Sequence, residues 1–421
     1  MLKKIIQSHR EEFDQKRNDF FVDREIQIKG FESDLIHIII GPRRAGKSFF
    51  SIRSMEPLLP VGYVNFDDER LTGITGFDEL LDAINQVYVN PKALLFDEIQ
   101  NVNGWELIMN RLQRQGYNLF ITGSNSKLLS HELATHLTGR HLTTCLFPFS
   151  FREIRQLTDP KETRGDVRQQ CAEYITRGGF PELWVKKLDS PHYLTSLFDS
   201  ILFKDIVKRH KIRNTSALDA LAVFLVSNIA TEFSFQTIAQ RLSFRSVATL
   251  QKYIEYLEEA FLLFTIQRFS FKIREQISSN KKVYCYDDGF YQAKAYKFSP
   301  NLGRLFENAV AIELKRREME GSIKLFYWKN EKHEEVDFVV QQGLKVKQLI
   351  QVCYDLTEPK VREQEIRALL KAGASLDCTR LIVITDDYEN LETCSWFGFT
   401  GEVAFVPLWK WLLKGNDDYL S

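Results

Sequence analysis

The residues of this chain with the most evident chemistry stand at 41–48: Gly41-Pro42-Arg43-Arg44-Ala45-Gly46-Lys47-Ser48. A glycine, four residues, then Gly-Lys-Ser after a short apolar run (Ile38-Ile39-Ile40) is the pattern of a phosphate-binding loop. The glycines allow the dihedrals that turn backbone N–H groups inward around an anion. A helix starting near Lys47 would add the positive end of its dipole. In this arrangement the lysine reaches β- and γ-phosphates and the serine hydroxyl coordinates Mg2+. The expected nucleotide contacts therefore run through Gly41, Pro42, Arg43, Arg44, Ala45, Gly46, Lys47, Ser48 and Phe49.

About fifty residues on, Ala93-Leu94-Leu95-Phe96-Asp97-Glu98 is an apolar run ending in two carboxylates. Such a strand end supports a metal shell through its first acid and polarises a water through its second. Asp97, with Ser48, is the expected metal ligand, and Glu98 the expected base. A further run, Tyr117 to Ile121, ends in Thr122-Gly123-Ser124-Asn125. Ser124 or Asn125 could sense a γ-phosphate there, and either could equally cap a helix.

These residues need a scaffold that delivers several strand ends to one place. Strands are expected near 36–41, 61–66, 93–97, 117–122 and 141–146, with helical stretches between. Strand–helix alternation with short connections implies a parallel sheet covered by helices on both faces. Ligands on such sheets sit at the carboxyl ends of the strands, where the glycine-rich loop and Asp97-Glu98 both fall. The expected fold class is therefore α/β with a P-loop NTPase parallel-sheet core over residues 23–150, preceded by a charged amphipathic lead-in, 1–22. A helical lid is expected over 151–195, broken at Arg177-Gly178-Gly179-Phe180-Pro181.

Composition narrows the function classes. The chain has 421 residues, 44% hydrophobic and 27% charged, as in a soluble globular protein with room for several cores. The formal net charge is zero, so no global field draws it to nucleic acid or to a membrane. Six scattered cysteines without a C-x-x-C pair argue for a reducing compartment and against disulfides or a zinc ribbon. His131, His136 and His141 are spaced by five, which does not place two imidazoles on one helix face, so they are not read as metal ligands. No apolar run approaches a membrane span and the N-terminus lacks a signal-peptide core, so a cytoplasmic location is expected.

Residues 196–295 change character. Helices are expected near 193–209, 216–229, 236–243 and 246–260, followed by the apolar run Phe261 to Ile266. The short helix, turn and longer helix over 235–259, with a strand pair after them, match a helix-turn-helix with a wing. Within 235–282 stand eight Lys/Arg (241, 245, 252, 268, 272, 274, 281, 282) against four Glu (255, 258, 259, 275). This local excess is what DNA contact would need in a neutral protein. Beyond 300 the expectation is a helix at 303–318, strands near 322–328, 335–341 and 346–354, a helix near 360–372 and a strand at 380–385.

The Walker-type pair, the Ile121-Thr122-Gly123-Ser124-Asn125 run, Gly139-Arg140, Phe149-Ser150-Phe151-Arg152-Glu153 and Gly179-Phe180-Pro181-Glu182 together resemble a prokaryotic AAA+-like ATPase family whose members carry a C-terminal domain of unassigned function. The resemblance runs from about residue 20 to 355 or beyond. It implies binding and hydrolysis of ATP with Mg2+, a winged-helix domain (196–295) and a restriction-endonuclease-like α/β domain (296–421). It also makes Arg140 a candidate arginine finger or sensor, a role that would call for a homo-oligomer; a structural arginine before the 141–146 strand is the alternative. Nucleases with this tail fold hold Mg2+ on an acid from one strand and an acid-x-Lys triplet on the next, often with a helix glutamate. Glu307 and Asp337 match the first parts, but Gln351 and Cys353 replace the acid and the lysine. Lys345 and Lys347 lie on the same hairpin and could in principle substitute, but the expected reading is a nuclease-like fold without nuclease chemistry, kept for packing or for holding DNA or a partner. Three functions follow as expectations: an ATPase coupling turnover to conformational change with DNA bound at 235–282, an ATP-dependent nuclease using Glu307 and Asp337, or a nucleotide-gated switch with little turnover.

Overall fold

The computed structural model describes residues 1–74, 76–126, 137, 139–158, 163–296 and 301–414, so the expectations for His131 and His136 lie outside the described residues. The chain forms two compact units: residues 1–149 with 259–261, and residues 150–258 with 262–421.

The first unit is built on five parallel strands: β1 (Ile36–Ile40), β2 (Val61–Asn65), β3 (Ala93–Asp97), β4 (Asn118–Gly123) and β5 (His141–Cys145). Their order across the sheet is β2-β3-β4-β1-β5. β4 thus lies between the strand that feeds the glycine-rich loop and the strand that ends in Asp97. β1 and β3 are buried at every position, which is why both read as unbroken apolar runs. Helices α1 (Leu2–Asn18), α2 (Lys47–Ser54), α3 (Phe77–Tyr88) and α4 (Trp105–Arg114) cover the sheet. The amphipathic lead-in is α1 itself. It buries Ile5, Ile6, His9 and Phe13 and packs on β2 and α3.

In the second unit a nine-stranded mixed sheet runs through both halves of the C-terminal region. Its strands are β6 (Thr231–Phe233), β7 (Leu263–Arg268), β8 (Lys281–Cys285), β9 (Lys324–Lys329), β10 (Glu335–Gln342), β11 (Lys345–Val352), β12 (Leu381–Thr385), β13 (Asn390–Trp396) and β14 (Phe399–Pro407). The order is β13-β14-β12-β11-β10-β9-β7-β8-β6. The sheet crosses the expected boundary at 295/296 through a short parallel pairing of β7 with β9, Gln267 with Phe326 and Arg268 with Tyr327. Helices α5 (Phe235–Arg241), α6 (Val247–Glu259), α7 (Leu302–Glu320) and α8 (Pro359–Leu376) include the expected helix pair and the two long helices of the tail. The hairpin of β13 and β14 has no counterpart in the sequence reading. The helix expected over 193–209 is an α-helix to Ser200 that widens into a π-helix over 201–208.

The break at Arg177 to Pro181 has a packing cause. Gly178 has φ +83°, and a Cβ there would sit 1.9 Å from Asp287 Oδ1. Gly179 N–H donates to Asp287 Oδ2 at 2.7 Å. Only glycine lets the chain pass this close to a buried carboxylate.

Candidate functional site

The loop at 41–48 connects β1 to α2 at the carboxyl end of the sheet, as the sequence predicts. Gly46 (φ +92°) and Gly41 (φ +149°) take conformations that side-chain-bearing residues avoid. A Cβ on Gly41 would lie 1.9 Å from the Leu146 carbonyl oxygen, so the loop is pressed against the end of β5. Arg24 fastens the same seam. It donates to the Ala45 carbonyl at 3.0 Å and to the Phe147 carbonyl at 2.5 Å. Ala45 and Pro42 are buried, Arg43 and Phe49 half-buried, and Arg44 exposed with φ +68°. Arg43 also comes within 4.0 Å of Asp67.

Lys47, Ser48, Asp97 and Glu98 converge. The buried Lys47 ammonium donates to the carbonyls of Gly41 (3.1 Å) and Pro42 (3.0 Å) and faces Glu98 at 4.0 Å. Ser48 Oγ donates to Asp97 Oδ2 at 2.6 Å. Thr122 donates to the other oxygen of Asp97 while accepting the Glu98 N–H at 3.1 Å. Glu98 follows β3 directly and has φ +55°, which turns its side chain away from the strand line. Its carboxylate accepts from Ser124 Oγ at 3.2 Å and from Gln100. Of the two sensor candidates, Ser124 therefore touches the carboxylate; Asn125 is buried one residue beyond it.

Tyr63 on β2 completes the shell around Asp97. Its hydroxyl lies 3.1 Å from Asp97 Oδ2 and 3.3 Å from Glu12 Oε1 on α1. Lys16 reaches both Tyr63 and Glu12, at 3.3 and 2.6 Å. Burial, then the charges of Asp97 and Glu12, push the Tyr63 hydroxyl well above the ordinary tyrosine range, so it stays a donor. Sequence reasoning missed Thr122, Tyr63, Glu12, Gln100 and Arg24. Only Thr122 carried a local signal, as a polar residue just inside the end of a buried strand.

The donor set suits a hard divalent cation with a polyphosphate: one hydroxyl and one carboxylate oxygen face each other beside a loop that a side chain would obstruct. Arg140 is not brought to this place. It is exposed at the start of β5, and its carbonyl accepts from Ile36 N–H at the first residue of β1, the opposite end of the sheet from Gly41.

In the second unit the structure gathers a different group. Glu307 on α7 and Asp337 on β10 come together, as the resemblance implied, but Lys345 and Lys347 stay exposed on β11. Gln351 Nε2 donates to Glu365 at 2.7 Å, and its carbonyl accepts the Asp337 N–H at 3.2 Å. The cation among the acids is Lys282 of β8, 2% exposed, with its ammonium 2.9 Å from Glu307, 2.6 Å from Glu335 and 2.9 Å from Asp337. A Mg2+ ion does not fit this arrangement, because an ammonium already stands at the point where one oxygen of each carboxylate converges. Among the described residues no group of three or more His, Cys, Asp or Glu is arranged to hold a metal.

The basic segment 235–282 is altered by the same fact. Arg241, Arg245, Lys252, Lys272 and Arg274 are exposed, whereas Lys282 points inward and Lys272 pairs with Glu275 at 2.9 Å. Among the described residues no helix is long and apolar enough to cross a membrane.

The uncharacterized protein MJ1544 of Methanocaldococcus jannaschii is 36% identical over 415 residues, 93% of this chain and 91% of that protein. This chain belongs to the MJ1544 family. An uncharacterized protein of Haemophilus influenzae is 29% identical over 357 residues, 80% of this chain and 86% of its own length. The profile of a family described as an AAA domain matches residues 33–155. Two profiles described as domains of unknown function (DUF8612 and DUF4143) match 168–300 and 302–409. Among solved structures, Cdc6p from Pyrobaculum aerophilum matches at 14% identity and TM-score 0.26, covering 64% of this chain and 93% of that one; a likeness this weak carries no argument. The AAA match spans the loop, Asp97-Glu98 and Ser124, so the N-terminal unit carries an AAA-type P-loop domain.

Proposed function

We propose that the protein is an AAA-type ATPase that binds and hydrolyses ATP with Mg2+ and couples turnover to conformational change. The observation that carries this reading is the meeting of Ser48 and Asp97 at 2.6 Å beside Glu98, at the carboxyl end of a sheet with β4 inserted between the two strands that supply them. Bound Mg2+ would supply positive charge to offset what develops on the phosphate oxygens. Ser48 and Asp97 are the residues to hold it, with Tyr63 and Thr122 fixing the Asp97 carboxylate. The Lys47 ammonium now rests on carbonyls of its own loop, and phosphate oxygens would replace them as acceptors. Glu98 is the residue to take a proton from water, and Ser124 Oγ orients its carboxylate. Arg140, if it acts on a γ-phosphate, acts on that of a neighbouring copy.

DNA binding through a winged helix is the second part of the proposal. It is supported by the element order β6, α5, α6, β7, β8 and by the exposed Arg241, Arg245 and Lys252 on or beside the helix pair. The test is steady-state ATP hydrolysis with and without single- and double-stranded DNA, using Lys47→Ala as the blank. Turnover that DNA stimulates supports both parts. Turnover indifferent to DNA refutes the coupling, and negligible turnover with retained ADP refutes the enzyme in favour of a nucleotide-gated switch.

A further inference from the structure

The acidic centre of the second unit lies outside the nucleotide site, and its charge is unusual. Three carboxylates from two elements, Glu307 on α7 and Glu335 and Asp337 on β10, close on one ammonium from β8. Lys282 has three N–H donors and meets three acceptors. Asp337 Oδ2 accepts the Val352 N–H at 2.9 Å, Glu307 Oε1 accepts from Tyr284 O–H at 2.7 Å as well as facing Lys282, and Glu335 Oε2 lies 3.5 Å from Lys329. The Nζ–O distances, 2.6–2.9 Å, are those of charge-assisted hydrogen bonds. Burial works against the Lys282 charge, but Asp337 and Glu307 more than compensate and hold its pKa well above the ordinary lysine value. Burial and the neighbouring Asp337 in turn raise the Glu307 carboxyl to about 8, so the cluster balances the lysine against its acids.

We infer that Lys282 is the resident cation of this carboxylate cage, and that the cage is a metal-free clasp joining the wing strand β8 to α7 and β10. The residue types on β11 agree. A Mg2+ centre needs an acid where Gln351 stands, and an amide is all that an ammonium-filled cage requires there, since its task is to hold Asp337 N–H and Glu365. The clasp also removes one positive charge from the basic face expected of the wing, turning it toward the tail. This goes beyond the proposed ATPase, whose residues lie in the other unit.

The inference predicts a gain of metal binding when the lysine is removed. The probe is Mn2+, followed by electron paramagnetic resonance on the nucleotide-free full chain carrying Asp97→Asn, so that the loop site does not contribute. With Lys282 intact, no Mn2+ should bind at sub-millimolar concentrations. Lys282→Met in the same background should bind one Mn2+ per chain, should unfold at a higher temperature when Mn2+ is present, and should lose both effects on adding Asp337→Asn. Should Lys282→Met not fold without metal, Lys282→Met/Glu335→Gln removes one of the excess charges and allows the same titration. Mn2+ binding by the Lys282 protein that Asp337→Asn abolishes would overturn the inference. Failure of both lysine-free variants to acquire Mn2+ or to be rescued by it would overturn it as well.

Discussion

Glu98→Gln separates nucleotide binding from hydrolysis, and the geometry sets both magnitudes. The substitution keeps the side-chain shape and leaves an acceptor for Ser124 Oγ at 3.2 Å, so the local fold should hold. What it removes is a negative charge 4.0 Å from the Lys47 ammonium. At that distance, and at an effective dielectric of about 20, the attraction is worth about 4 kcal/mol before competition from water and phosphate. A bound phosphate would compete with this attraction for Lys47, and the carboxylate would repel the phosphate. Both effects disappear in the variant, so ATP should bind as tightly as before or more tightly. Hydrolysis should fall by roughly 10²–10⁴-fold, the usual contribution of a positioned general base, or about 3–5 kcal/mol of barrier. The assay pairs single-turnover hydrolysis of radiolabelled ATP with equilibrium binding of a fluorescent ATP analogue. Turnover within tenfold of wild type would remove Glu98 from the role of base. A large loss of binding alongside lost turnover would show that Glu98 supports the loop and does not act on water.

Two further outcomes concern the second unit. Gly178→Ala places a Cβ 1.9 Å from Asp287 Oδ1 at φ +83°, combining backbone strain with displacement of a buried carboxylate. The expected loss is about 3 kcal/mol or more, read as a lower urea midpoint. Asp287 is held by the N–H groups of Gly179 and Gly289, yet burial outweighs them and raises its pKa to about 7. The folded chain therefore keeps a proton that the unfolded chain releases near pH 4, and stability should fall as pH rises between these values, by roughly 4 kcal/mol at most from this group. Asp287→Asn should flatten that slope in thermal melts taken at pH 5 and pH 7, and an unchanged slope would assign it to other groups.

The legible part of this protein is the part written locally. Gly41 to Ser48 and Asp97-Glu98 announce themselves because a loop between strand and helix, and a strand end, are each built from consecutive residues. All five parallel strands of the core were visible for the same reason, as short runs bounded by turns, β5 (expected near 141–146) included. The rest depends on pairing between distant residues. Tyr63 and Glu12 reach Asp97 through tertiary packing of α1 on β2, and nothing in their neighbours signals it. Lys282 appeared in the sequence as one of eight basic residues on a DNA-facing wing. Its burial follows from the register of β8 against β7 and the approach of α7, which composition does not encode. The alternation within β13 was available in the sequence, with mostly polar residues on its exposed face, but the expectation named no element after the strand at 380–385 although the domain ran to 421.

The β7–β9 seam constrains how such a protein can change over generations. The two halves of the C-terminal sheet are joined by a pairing of only two residue pairs, and the Lys282 clasp spans the same junction. An exchange of genetic segments that cut near residue 296 would hand one product a buried lysine without its acids and the other three acids without their lysine. Each would also expose a strand edge. The strands on either side of this junction are therefore expected to be inherited together, and a change at Lys282, Glu307, Glu335 or Asp337 to require a compensating change at another of the four.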